Sequence, residues 1–256
     1  MDRRGGRRLP VPLVLAALAV LASGLVARFL TAGCGGESEV GTGAAGTGTG
    51  PQALVAALQQ RLRADPDQPH LLTRLGVGYL TLARQTADPS YYTKASQALE
   101  RSRALAPDAP ETMTATGLLE AGRHNFESAL EWGSRAAQAD PGDPDALGVV
   151  ADAQVELGRY EEAAATVQRM VDLRPNLASL ARVSYLRELN GDTSGAAAAM
   201  AQAATAGAGA DAAAAQSALG NLHLAAGRLD AAGTAYRKAL LIQPEHAPAE
   251  VGLARV

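Results

Sequence analysis

Between Asp143 and Pro175 the apolar residues fall into two blocks of helical period, parted by a short break. Leu147, Val150, Ala151 and Val155 share one face of a first helix, and Ala163, Val167, Met170 and Val171 one face of a second. The ends are marked as well. Asp143 can accept from an unpaired amide at the first helix start, and Pro144 follows where no amide is needed. Gly158 is placed to close that helix in a left-handed conformation. In the second helix, from about Tyr160, Glu161 and Glu162 lie in the first turn and Arg169 and Arg174 towards the end. This arrangement complements the helix dipole, and Pro175 stops the helix. The stretch predicts a helical hairpin, and its punctuation recurs: Pro107, Pro141 and Pro175 stand 34 residues apart, as do Ala95, Ala129 and Ala163. A fixed period of that length predicts stacked hairpins whose core forms between neighbours.

Extending the register divides the chain. Residues 1–8 carry four arginines, and residues 9–27 are 19 uncharged positions. At ~1.5 Å per residue such a helix reaches about 28 Å, enough for the ~30 Å hydrocarbon core of a bilayer. Residues 1–34 are therefore expected to form an export signal or membrane anchor, arginines inside and the remainder outside the cytoplasm. Leu30 to Cys34 resembles a bacterial lipoprotein cleavage box, with Thr31 where leucine is usual. Lipidation of Cys34 and an uncleaved helix followed by an inert cysteine are both open readings, and both attach the chain to a membrane. Residues 35–50, rich in glycine and threonine, read as a flexible tether. From 51 to 256 the chain reads as one solenoid: a leading helix at 53–63, units at about 69–109, 110–143, 144–176, 177–210 and 213–246, and a partial unit at 247–256. The first unit has seven extra residues, expected as a loop within 84–92. The chain stops in mid-repeat, which is expected to reflect truncation or a partner that completes the stack.

In four units the eighth position is glycine or alanine (Gly76, Gly117, Ala151, Gly220), the fourth unit having Val183 and Ser184 there, and the twentieth is alanine throughout (Ala95, Ala129, Ala163, Ala196, Ala232). Phe126, Tyr160 and Leu229 stand at the seventeenth, and prolines close the units except the fourth, where glycines and alanines replace the stop. In this pattern residues 66–256 resemble tetratricopeptide repeat proteins. The resemblance implies an all-α fold, an α-solenoid of helix-turn-helix repeats behind the N-terminal signal or anchor helix. It also implies a groove lined by the first helices, at the second, fifth, ninth and twelfth positions. In this chain Thr73, Val77, Thr114, Asp152, Tyr185, Glu188, Ser217 and Asn221 are the candidate groove residues, with His70, Glu111, Asp145 and Leu224 beside them. The lysine and asparagine clamp with which co-chaperone members hold a carboxyl-terminal peptide is absent; only Asn221 fits in kind. The groove is expected to be mixed acidic and apolar, and to take a protein or peptide partner.

Composition narrows the function further. A net charge of −3 gives no general attraction for nucleic acid, and 47% apolar with 4% aromatic residues suits close-packed helices. The single cysteine lies outside the repeats, and His70, His124, His223 and His246 fall in different units. No phosphate-binding glycine loop or serine elbow is present, so no catalytic residue, cofactor or metal ligand is nominated and no enzyme activity is expected. The expected function is an interaction scaffold or assembly factor of the cell envelope, for example in pilus or outer-membrane machinery. Two alternatives stand beside it: a cytochrome c maturation-type factor, whose repeat domains the segment from Leu54 to Leu80 also resembles, and the regulatory half of a protein with an enzymatic domain beyond Val256.

Overall fold

The structure, a computed structural model, describes residues 50–256; the predicted anchor segment, Cys34 and the tether to residue 49 lie outside the described residues. The described residues form twelve helices and no strand. They are α1 (Pro51–Ala64), α2 (Pro69–Thr86), α3 (Ser90–Leu105), α4 (Pro110–Gly122), α5 (Phe126–Ala139), α6 (Pro144–Glu156), α7 (Tyr160–Leu173), α8 (Leu177–Leu189), α9 (Thr193–Ala206), α10 (Gly209–Ala225), α11 (Leu229–Ile242) and α12 (Ala247–Leu253). They fall into two compact units, residues 50–174 and 175–256.

Local chemistry sets the helix ends. Proline opens α1, α2, α4 and α6. The Asp143 carboxylate accepts from the Asp145 amide at 2.9 Å, and Asn176 and Ser179 form a reciprocal capping box at the start of α8. Three hairpin turns pass through a left-handed glycine, Gly158, Gly191 and Gly227. His124 takes that place between α4 and α5 with φ 61°, a conformation that costs a side-chain-bearing residue something glycine avoids.

In the 50–174 unit α1 buries Val55, Leu58 and Leu62. Its fit to α2 depends on a missing side chain, since a Cβ on Gly78 would stand 2.8 Å from Val55 Cγ2. Gln59 Nε2 also donates to the Tyr79 hydroxyl at 2.7 Å. The first hairpin departs from the loop expected at 84–92. Its turn has three residues, Ala87–Pro89, as does the turn Arg123–Asn125 of the next hairpin. The extra residues are helical instead: α2 and α3 are 18 and 16 residues long, against 13 and 14 for α4 and α5. Longer helices keep the backbone amides bonded, and they bring the Tyr91 ring onto Tyr79 at 6.0 Å between centroids. Tyr92 closes against Gly122, where a Cβ would come within 2.7 Å of its ring.

Helices within and between hairpins meet through small residues. A Cβ on Gly117 would stand 3.3 Å from the Ala129 carbonyl oxygen and 2.7 Å from Val149 Cγ1. Ala95, Ala129 and Ala163 have no exposed surface. In the 175–256 unit Ser184 replaces the usual glycine or alanine and donates to the Ala196 carbonyl at 2.8 Å. The ring of Tyr236, wholly buried, lies between Gly220 and Gly252, so close that a Cβ on either would come within 2.4 Å of it. The helix α10 begins at Gly209, ahead of the start near 213 that the repeat register suggested.

Candidate functional site

The first helices of the hairpins, α2, α4, α6, α8 and α10, carry every residue predicted to line a groove. Thr73, Val77, Thr114, Tyr185 and Ser217 are buried, whereas Asp152, Glu188 and Asn221 are half-buried. Thr73 Oγ1 lies 2.9 Å from Ser102 Oγ and 2.7 Å from Thr112 Oγ1, closing a hydroxyl cluster that joins α2, α3 and α4. Ser102 Oγ donates in turn to the Pro69 carbonyl at 2.9 Å. Thr114 Oγ1 and Ser217 Oγ are buried with no partner among the described residues. Asn221 Oδ1 accepts from the Tyr236 hydroxyl at 2.7 Å. Of the flanking positions, His70 and Glu111 are exposed, Asp145 is buried and Leu224 is half-buried.

The charged positions predicted for this face are mainly acidic. In the 50–174 unit, Asp152 and Glu156 stand one turn apart on α6, and Glu111 is in the first turn of α4. Glu156 is exposed, and the partial desolvation it still meets pushes its carboxyl above the ordinary value; the neighbouring Asp152 charge pushes it the same way, and His124 offsets part of the rise. In the 175–256 unit burial likewise raises Glu188 on α8 and Asp211 on α10. A carboxylate raised in this way is short of hydrogen-bond donors and cations, which a basic ligand would bring. Glu156 was not among the predicted groove positions, although its spacing of four from Asp152 is visible in the sequence.

Two open cavities, of about 300 and 340 Å³, flank α10 and share Leu219 and His223. The His223 Nδ1 accepts from Arg228 Nε at 3.0 Å, and burial followed by the Arg228 charge lowers its pKa. The first cavity is lined by Gln216, Asp230, Thr234 and Lys238 beside two alanines, and the second by three alanines with Ser194 and Arg228. Among the described residues no cluster of His, Cys, Asp or Glu could hold a metal ion, and no helix is long and apolar enough to cross a membrane.

Models of the tetratricopeptide repeat match residues 118–187 in one form, and 90–144 and 184–249 in another. The chain belongs to the tetratricopeptide repeat family. No curated protein sequence matches it significantly. Its fold is similar to that of a thermophilic tetratricopeptide repeat protein of Thermus thermophilus, at 24% identity and a TM-score of 0.60, over 70% of this chain and 97% of that one. It is also similar to PilF of Pseudomonas aeruginosa, at 14% identity and a TM-score of 0.54, over 96% and 100% of the two chains. PilW, a widely conserved type IV pilus biogenesis factor, matches at 14% identity and a TM-score of 0.58, over 92% and 98%. At these identities the similarity is one of fold. The spacing of glycine and alanine in this tetratricopeptide repeat chain is thus the pattern by which its hairpins pack.

Proposed function

We propose that this tetratricopeptide repeat protein is an interaction scaffold tethered to the cell envelope, which holds a basic, partly apolar peptide segment of a partner on its first helices. The observation that carries the reading is the Asp152–Glu156 pair, half-buried and exposed, one turn apart on α6, with Glu156 raised by partial desolvation and by its acidic neighbour. A cationic side chain bound there meets two carboxylates at once and removes the repulsion between them. Val150 and Val155 on the same helix supply buried apolar support. Tethering rests on the arginine-flanked apolar stretch 9–27 and on Cys34, and an envelope assembly role agrees with the description of PilW, which has this fold.

Calorimetric titration of the full chain with short peptides tests the binding half. Lysine- or arginine-containing peptides with apolar flanks are expected to bind. The pair Asp152→Asn and Glu156→Gln is expected to weaken them about tenfold, and acidification through the raised Glu156 range to weaken them as well. Equal affinity in parent and variant would refute the acidic face. Cell fractionation tests the tether. The parent chain is expected in membranes, and Cys34→Ser releases it if lipid is the anchor and leaves it there if the helix is uncleaved. A parent chain recovered as soluble protein would sink the tether.

A further inference from the structure

A different surface carries a second inference. Trp132, on α5, packs its body against the cluster of Met113, Ala136 and Ala146. Over its ring lie two guanidinium groups, Arg103 of α3 at 4.8 Å and Arg135 of α5 at 4.3 Å from the centroid. All three come from second helices of their hairpins, away from the first-helix residues above. Neither arginine forms an ion pair among the described residues, and Arg103 Nε is buried without a hydrogen-bond partner.

Two like charges converging on one ring repel each other. The indole face attracts each guanidinium, but it does not neutralise either. A guanidinium held over a ring keeps its fork of N–H donors, the group that takes a carboxylate through two parallel hydrogen bonds. Because packing and stacking already hold these side chains, a ligand has little rotamer freedom to remove. Trp and Arg are also the residue types on which binding energy concentrates at protein interfaces. Carboxylates two residues apart on an extended chain are separated by about 7 Å, a span suited to two guanidiniums that flank a single indole.

We propose that the Arg103–Trp132–Arg135 stack is a docking site for an acidic segment of a partner protein, whose carboxylates bridge the two guanidiniums. The net charge of the whole chain, −3, favours this ligand over a polyanion. A long nucleic acid or an anionic membrane meets the repulsion of the rest of the surface, whereas a short acidic segment responds to the local field.

Trp132 is the only tryptophan, so its emission reports on this site directly. The full chain, in detergent micelles, is titrated with a short peptide of alternating glutamate and serine. A saturable change in emission is expected, absent with the glutamine analogue of the peptide and weakened about tenfold by Arg103→Gln with Arg135→Gln. Should the double variant melt early, Arg135→Gln alone serves, since Arg135 is exposed, and a clear weakening is still expected. Unchanged affinity in the variants, an equal response to the glutamine peptide, or tighter binding of a single-stranded oligonucleotide would overturn the proposal. The Asp152→Asn and Glu156→Gln pair leaves this signal intact, so the two surfaces succeed or fail separately.

Discussion

Thr73 and Thr114 occupy the same position in successive hairpins and are both buried, yet their hydroxyls have opposite fates. That of Thr73 completes the cluster with Ser102 and Thr112; that of Thr114 has no partner among the described residues. Thr73→Val is expected to cost about 1–3 kcal/mol by removing two buried hydrogen bonds, even though Ser102 and Thr112 keep the 3.1 Å bond between them, whereas Thr114→Val is expected to be neutral or to stabilise by up to about 1 kcal/mol. Denaturant unfolding of both variants checks the contrast; equal losses would contradict it. Glu156 gives a pH prediction. Its folded pKa is raised above the ordinary 4.5, so the folded state holds the proton more tightly, and stability falls as pH rises through the raised range. Glu156→Gln is therefore expected to be more stable than the parent at neutral pH. The advantage should vanish below the ordinary glutamate range, in thermal melts across pH. Sequence spacing showed where these residues stand, but not which hydroxyl finds a partner or which carboxylate loses water. Those depend on atoms from helices remote in the chain.

At the scale of the helix, the hairpins depend on residues too small to keep the backbones apart. Ala163 is wholly buried on α7, and Ala163→Leu is expected to overpack the contact with α6 and cost about 1–3 kcal/mol. Gly220→Ala is expected to cost at least as much, because its Cβ would meet the Tyr236 ring at 2.4 Å, and a ring fixed on its other side by Gly252 cannot bend away. An unchanged melting temperature in either variant would contradict the packing. The positions of α6 and α7 were legible in the sequence because proline, acidic first turns and glycine act locally. The first hairpin was not. Seven extra residues are equally compatible with a longer loop and with longer helices, and the choice fell to helices through the Tyr79–Tyr91 stack, formed between residues of two different helices.

For the molecule as a whole, a repeat array is stable only if its terminal hairpins are covered. In the 50–174 unit α1 does this through Val55, Leu58 and Leu62. Removing residues 51–64 is expected to cost on the order of 5 kcal/mol, from about 1.5–3 kcal/mol for each buried aliphatic side chain. Increased binding of a hydrophobic dye and a lower melting temperature should report it; an unchanged melt would mean that α2 is covered in another way. The sequence by itself determined the repeat, the helix pairs and the small residues between them, because each is fixed by the period of apolar positions and by end signals a few residues long. Only the tertiary structure decided that the first hairpin lengthens, that five of the eight predicted groove residues turn inward, and that Arg103 meets Trp132 and Arg135. Burial, desolvation and stacking are properties of several helices at once, and no single stretch of the chain encodes them.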